Sequence, residues 1–332
     1  MPIGARRAAR SMLTGIARTA WSGLDHLPLG RRAERFLLER TWAAGSAEML
    51  DAYLVAGYQN PRINLQSILV RHFLVSKLVG SELDGLMDDE IRFAIGLNEA
   101  VRLRAADLGV RMGSYLNPAK YAAVQRVDEV IADRQMEFQD RWRATLGDRR
   151  LAPLQVLELA CGSANDYRAF VEAGLAAHLD YRGVDLAAKN IANARRRFPD
   201  ASFEVANVVD LPHPDGSFDY VVASDLFEHL SPKAMAQALD QAVRLARRGL
   251  ALTFFNMSDV ADHQVHRRRA YHWNLLSRPR VEERLRRDFG TLTVIPIASW
   301  LKDRFGYAHS YNPRAWSIFA EREADPGARL PE

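Results

Sequence analysis

Two short stretches hold the residue types and spacings that can do chemistry. In Val156-Leu-Glu-Leu-Ala-Cys-Gly-Ser-Ala-Asn-Asp166, a carboxylate at Glu158 precedes a run of small residues. Small residues let the main chain approach a ligand where a larger side chain would collide. In Asp225-Leu-Phe-Glu-His-Leu230, two carboxylates and an imidazole fall within five residues. An imidazole titrates near neutral pH, so His229 is the candidate general base. Glu228 beside it and His272 further on are the other catalytic candidates. The plainer roles are loop capping for the Glu-His pair and pocket lining for His272.

The elements that position these residues can be read from pattern. Val156, Leu157 and Leu159 form an apolar strand that ends in a tight turn, with a helix opening at Asn165 or Asp166. A strand, a turn and a helix N-terminus form the unit on which α/β proteins bind charged ligands. Leu179 to Asp185 reads as a second strand ending in an acid, 27 residues after Glu158. A carboxylate there can accept from both ribose hydroxyls of a nucleoside. A basic helix over 190–198, a third strand over 202–207 and a fourth over 217–224 follow. Leu211-Pro-His-Pro-Asp-Gly216 supplies turn chemistry before the fourth strand. Ser231-Pro232 opens a helix that Arg248-Gly249 is expected to close, ahead of a fifth strand over 250–257. A polar loop over 258–273 carries His263, His266, Arg267, Arg268, Arg269 and His272. A helix over 280–289 and strands over 291–297 and 315–321 complete the series.

The template acidic-x-small-x-Gly-x-small is met at Glu158, Ala160, Gly162 and Ala164. The dinucleotide template G-x-G-x-x-G is met only at Gly162, which disfavours a nicotinamide enzyme. Together with "DLP…PDGSFDYVV" over 210–222 and "EHL" at 228–230, this series resembles the class I S-adenosylmethionine-dependent methyltransferases, in particular the methyltransferase type 11 group. The resemblance covers roughly residues 115–322. It implies a doubly wound, mostly parallel seven-stranded Rossmann-like sheet whose seventh strand runs antiparallel. It also implies S-adenosylmethionine as cofactor. By the same resemblance the cofactor contacts are Glu158, Ala160, Cys161, Gly162, Ser163, Asp185, Leu186, Asn207, Val208 and Asp225. Asn207 stands where an Asp usually bonds the adenine amino group, and its carbonyl can do the same.

The N-terminal part carries none of these signals. Residues 1–112 read as a helical region, with 113–323 as the methyltransferase domain and 324–332 as a disordered tail. Asn60-Pro61, Gly80 and Gly109 punctuate two apolar-periodic helices, and Asn117-Pro118 starts a third with Val124, Val127, Ile131, Phe138 and Trp142 on one stripe. Tyr121 on it is a candidate pocket contact. Residues 1–34 are basic and flexible in this reading, and Arg6, Arg7, Arg10 and Arg18 among apolar residues could touch anionic lipid. The helical region could equally serve as a dimer surface or a lid.

Composition narrows the class. The chain has 332 residues, a formal net charge of +4 and one cysteine. One cysteine excludes an internal disulfide framework and a multi-cysteine zinc module, and fits a reducing cytoplasm. No run of 18 apolar residues reads as a membrane span, and no signal-peptide core stands out. Nucleic acid is disfavoured as a partner, because neither an RNA-binding module nor an aromatic-interleaved basic repeat occurs. The expectation is a methyltransferase acting on a small-molecule or lipid-like acceptor. Two alternatives remain: a metal-assisted RNA 2′-O-methyltransferase built on Asp225, Glu228 and His229, and a cofactor-binding partner protein without catalysis. The site set includes no metal ligands.

Overall fold

The computed structural model describes residues 64–107, 138–147, 149–268, 271–309 and 312–323. The basic stretch 1–34, the Asn117-Pro118 helix start with Tyr121, Arg269 and the tail 324–332 lie outside the described residues.

Seven strands form one sheet: β1 (Leu154–Leu159), β2 (Leu179–Asp185), β3 (Ser202–Val205), β4 (Phe218–Ser224), β5 (Ala246–Phe254), β6 (Thr291–Pro296) and β7 (Trp316–Glu321). Their spatial order is β6-β7-β5-β4-β1-β2-β3. β1 to β5 are parallel, and β7 runs antiparallel between β5 and β6. β1 and β4 are buried along nearly their whole length. That is why they read as continuous apolar runs rather than alternating ones: central parallel strands are covered on both faces. The order reverses between β1 and β4, so their carboxyl ends flank the crevice where open α/β sheets bind ligands.

Helices cover both faces. The helices are α1 (Leu65–Val79), α2 (Asp84–Asp107), α3 (residues 138–146), α4 (Asn165–Glu172), α5 (Ala188–Arg197), α6 (Pro232–Leu245), α7 (Arg278–Leu285) and α8 (Ile297–Phe305). One core joins α1, α4, α5 and α8 to Val156, Tyr220, Val222, Ala251 and Phe319 of the sheet. The other joins α6 and α7 to Leu157, Leu159, Val221, Leu250 and Ile318. The alternation of neighbouring strand residues between these cores is the period-two geometry of a strand.

The described part of the N-terminal region is helical, and α1 lies directly on the sheet. Asn64 caps it, its side chain accepting from the Gln66 and Ser67 amides, and Gly80 ends it at φ 65°. Gln66 then donates to the Phe254 and Trp316 carbonyls at 2.9 and 2.8 Å, fastening the helix to the ends of β5 and β7. Between α1, α2 and α3 lies a buried polar cluster. Glu90 receives Arg71 at 2.7 Å, His72 at 2.7 Å and the Trp142 indole N–H at 2.9 Å. Burial works to raise the Glu90 carboxyl, but the Arg71 charge and the His72 and Trp142 contacts outweigh it and hold it at about 2.

Two boundaries differ from the sequence reading. Arg248-Gly249 does not close α6; the helix ends at Leu245 and β5 begins at Ala246. Gly249 reads as a stop signal, yet it is needed within the sheet: a Cβ there would sit 2.4 Å from the Ala320 carbonyl oxygen. β3 stops at Val205 because residues 207–210 fold into a turn, with the Asp210 amide bonded to the Asn207 carbonyl at 3.0 Å.

Candidate active site

The turn after β1 holds the first group of expected cofactor contacts. Ala160, Gly162 and Ala164 all have left-handed φ, at 55°, 57° and 63°. These are the positions where the template prefers glycine, because a Cβ is disfavoured there. The two alanines keep the turn's shape at a cost in strain. Asp185 secures the turn: one oxygen accepts from the Gly162 amide at 3.0 Å, the other from the Ala187 amide at 2.8 Å and from Asn190 at 3.2 Å. Three of its roughly four lone-pair sites are thereby used, which leaves one for a ligand hydroxyl. Cys161 is buried and its amide bonds the Val184 carbonyl. Burial raises its thiol far above the ordinary range, which suits packing rather than nucleophilic attack. The Ser163 carbonyl is taken by the Arg197 guanidinium.

The remaining cofactor candidates are spread along the same rim. Leu186 is 71% exposed, which leaves an apolar side chain open at the end of β2. Val208 is buried, while Asn207 is exposed with its side-chain oxygen 3.3 Å from the Val209 amide.

The carboxyl ends of β1 and β4 carry a ridge of carboxylates. Glu158 is buried and accepts the Tyr181 hydroxyl at 2.6 Å. Burial pushes it well above the carboxylate range, and Asp166 adds to the shift. Asp166 bonds Ser67 of α1 and Ser224 of β4, and is itself raised by burial. Asp225 has a left-handed φ of 52° and receives Thr253 at 3.4 Å. Burial, then the charge of Asp166, lifts it to about 7. Among the described residues, no Lys or Arg forms an ion pair with Glu158, Asp225 or Glu228.

Glu228 is wholly buried. Oε1 accepts from the Phe255 and Asn256 amides at 2.7 and 3.2 Å, and Oε2 has no partner among the described residues. Burial and the neighbouring Asp225 lift it to about 8. With no exposed atom, Glu228 ties the loop after β4 to the end of β5. Asp225, Glu228 and His229 do not converge, because a short 3-10 turn over Phe227–His229 sends Glu228 inward and leaves His229 half-buried. Among the described residues no group of three His, Cys, Asp or Glu could hold a metal ion.

His229 lies 3.2 Å through Nδ1 from the His272 carbonyl. A carbonyl only accepts, so Nδ1 carries the proton and Nε2 keeps the basic lone pair. His272 thus contributes its main chain to this contact; its ring, read as catalytic, makes no bond to His229. Around His229 stand Phe255, Trp273 and Tyr271, with ring centroids 5.2, 5.5 and 6.0 Å away. Phe255 and Tyr271 did not stand out in the sequence as site residues. Asn274, which with His272 and Trp273 resembles a short motif after the fifth strand and reads from sequence as pocket lining, bonds the Glu228 carbonyl through its amide and the Leu230 carbonyl through Nδ2, and its Oδ1 accepts the His266 amide.

Sheet order, left-handed turn and strand-end acids together define a doubly wound, seven-stranded Rossmann-like domain with its crevice at the ends of β1 and β4. Residues 156–249 match the methyltransferase domain family. Over 100 residues the chain is 34% identical to a probable S-adenosylmethionine-dependent methyltransferase of Mycolicibacterium smegmatis, a match spanning 30% of this chain and 37% of that protein. Among solved structures it is similar to an S-adenosylmethionine-dependent methyltransferase from Mesorhizobium loti, at 18% identity and TM-score 0.40, over 55% of this chain and 96% of that one. It is also similar to the 1,6-didemethyltoxoflavin-N1-methyltransferase of Burkholderia thailandensis, at 19% identity and TM-score 0.39, over 63% and 92% of the two chains.

Proposed function

We propose that this protein transfers a methyl group from S-adenosylmethionine to a small-molecule or lipid-like acceptor in the cytoplasm. The observation that carries this reading is the carboxylate ridge of Glu158, Asp225 and Glu228, none of which forms an ion pair among the described residues. Buried acids held above their ordinary pKa favour a ligand that brings positive charge. The cofactor's ammonium and sulfonium are such charges, and the left-handed turn at Ala160–Ala164 leaves the main chain open beside them. Asp185 has one lone pair for a ribose hydroxyl, and Asn207 and Val208 stand at the end of β3 for the adenine.

When bound, S-adenosylmethionine supplies an electrophilic methyl group whose leaving sulfur keeps the bonding electron pair and needs no acid. The chain's tasks are alignment and disposal of the acceptor's proton. Nε2 of His229 takes that proton, because Nδ1 is fixed on the His272 carbonyl. Glu228 holds the loop that carries His229, and Asn274 holds the strand that carries His272.

The test is mass spectrometry of metabolite extracts incubated with protein and methyl-labelled cofactor. A labelled product is expected from the wild type. His229→Ala should lower kcat by about 10²–10⁴, the scale of general-base catalysis, with S-adenosylhomocysteine binding unchanged by calorimetry. Binding of the cofactor with no labelled product from any extract would leave a binding protein instead of an enzyme.

A further inference from the structure

We propose that the hairpin beside His229 is the acceptor platform, and that it selects a planar aromatic ring bearing a carboxylate, with Arg268 holding the anion. This rests on the methyltransferase reading above and names its substrate class.

The hairpin's register decides which side chains face the site. Arg268 pairs with Tyr271 and Arg267 with His272, and the Trp273 amide bonds the His266 carbonyl at 2.8 Å. Residues directly opposite in an antiparallel pair share a face, and neighbours along a strand alternate. Arg268, Tyr271 and Trp273 therefore lie on one face, and Arg267 and His272 on the other. Tyr271 and Trp273 are the two whose rings approach His229. The Arg268 face is thus the His229 face.

Phe255 packs against Trp273 and His229, with ring centroids 4.8 and 5.2 Å away. Tyr271 is 50% exposed, so this cluster presents a ring to solvent. An exposed aromatic face rewards a flat π surface through edge and face contacts that an alkyl chain cannot make. Across the hairpin from that ring Arg268 is exposed and has no ion pair among the described residues. The arginines of α7 differ: Arg278 is paired with Asp259 and Glu282, Arg280 with Asp262, and Arg284 with Asp240. A free guanidinium on an aromatic rim binds a carboxylate through two parallel N–H groups. The buried acids behind His229 oppose a second negative charge at the inner end, which directs the substrate's carboxylate outward to Arg268.

The experiment is calorimetry on the full chain saturated with S-adenosylhomocysteine, using 4-hydroxybenzoate, benzyl alcohol, hexanoate and tetramethylammonium as probes. Expected is binding of 4-hydroxybenzoate about tenfold or more tighter than any other probe, with quenching of indole fluorescence that Trp273→Phe removes. Arg268→Gln should abolish the tenfold preference over benzyl alcohol, and Arg267→Gln should leave it intact. Equal binding of hexanoate or tetramethylammonium, equal effects of the two arginine variants, or no probe binding while S-adenosylhomocysteine binds would overturn the platform alone. Failure of the wild type to bind S-adenosylhomocysteine would overturn the methyltransferase reading and the platform with it.

Discussion

Two buried polar clusters in this protein are built on opposite terms. In the cluster under α1, one carboxylate at Glu90 meets Arg71, His72 and the Trp142 indole. On the ridge at the ends of β1 and β4, several carboxylates crowd together and Glu228 Oε2 has no hydrogen-bond partner among the described residues. The first cluster pulls its acid down and the second pushes its acids up. Burial opposes charge in both; what differs is that Glu90 has hydrogen-bonded cationic partners, whereas among the described residues Asp225 and Glu228 have no ion pair and the Arg71 charge reaches the ridge at Asp166.

The comparison breaks most severely at Glu90. Glu90→Ala removes the carboxylate that Arg71, His72 and Trp142 share, and should cost about 3–5 kcal/mol in denaturant unfolding. The pH dependence has a definite sign. The folded-state pKa of Glu90 lies below its unfolded value, so its contribution is present above the ordinary carboxylate range. It is lost as pH falls from there toward about 2. A Glu90→Ala protein as stable as the wild type would mean that the cluster contributes nothing net.

The cofactor side is sharpened at Asp185. Asp185→Ala should weaken S-adenosylhomocysteine binding by about 1.5–3 kcal/mol, the scale of hydrogen bonds to a charged group. The loss includes the Gly162 and Ala187 anchors as well as any ribose contact. Calorimetry that finds unchanged affinity would remove Asp185 from the cradle.

Glu228 tests the opposite sign. Its folded pKa is raised, so the folded state holds the proton more tightly than the unfolded state does. Stability is fullest below the ordinary carboxylate pKa and falls as pH rises toward about 8. The wild type should lose on the order of 1–3 kcal/mol between pH 5 and pH 9, within the cost of an unpaired buried group. Glu228→Gln should flatten that slope, and saturating S-adenosylmethionine should flatten it in the wild type. Equal slopes in all three would show that Glu228 does not titrate in this range.

The smallest expected effect is in the turn. Ala160→Gly relieves a left-handed Cβ at a half-buried position and should stabilise the fold by up to about 1 kcal/mol in thermal unfolding. Ala164 has the same φ but is fully buried. Its glycine variant loses methyl packing, so any gain should be smaller.

Much of this was legible in the sequence. The apolar runs around Val156 and Val221 announced central parallel strands because both faces of such strands are covered. The small residues after Glu158 announced a tight turn because backbone sterics act locally. Ser231 capped its helix as such residues do, since capping involves only the next three residues. The family resemblance picked out Asp185 and His229 from their places at strand ends.

What only the tertiary structure decided depends on groups far apart in the chain. The sequence pattern is indifferent to whether Glu228 faces solvent or the interior. Its burial follows from the amides of Phe255 and Asn256, which β5 brings alongside. The tautomer of His229 is set by a carbonyl 43 residues away. The separation of Arg268 from Arg267 comes from hairpin register, because one residue of offset along a strand reverses the face. Gly249 looked like a helix stop until β7 was laid beside it. Local sterics and periodicity are written into neighbouring residues, whereas burial, countercharge and register exist only once distant segments are packed together.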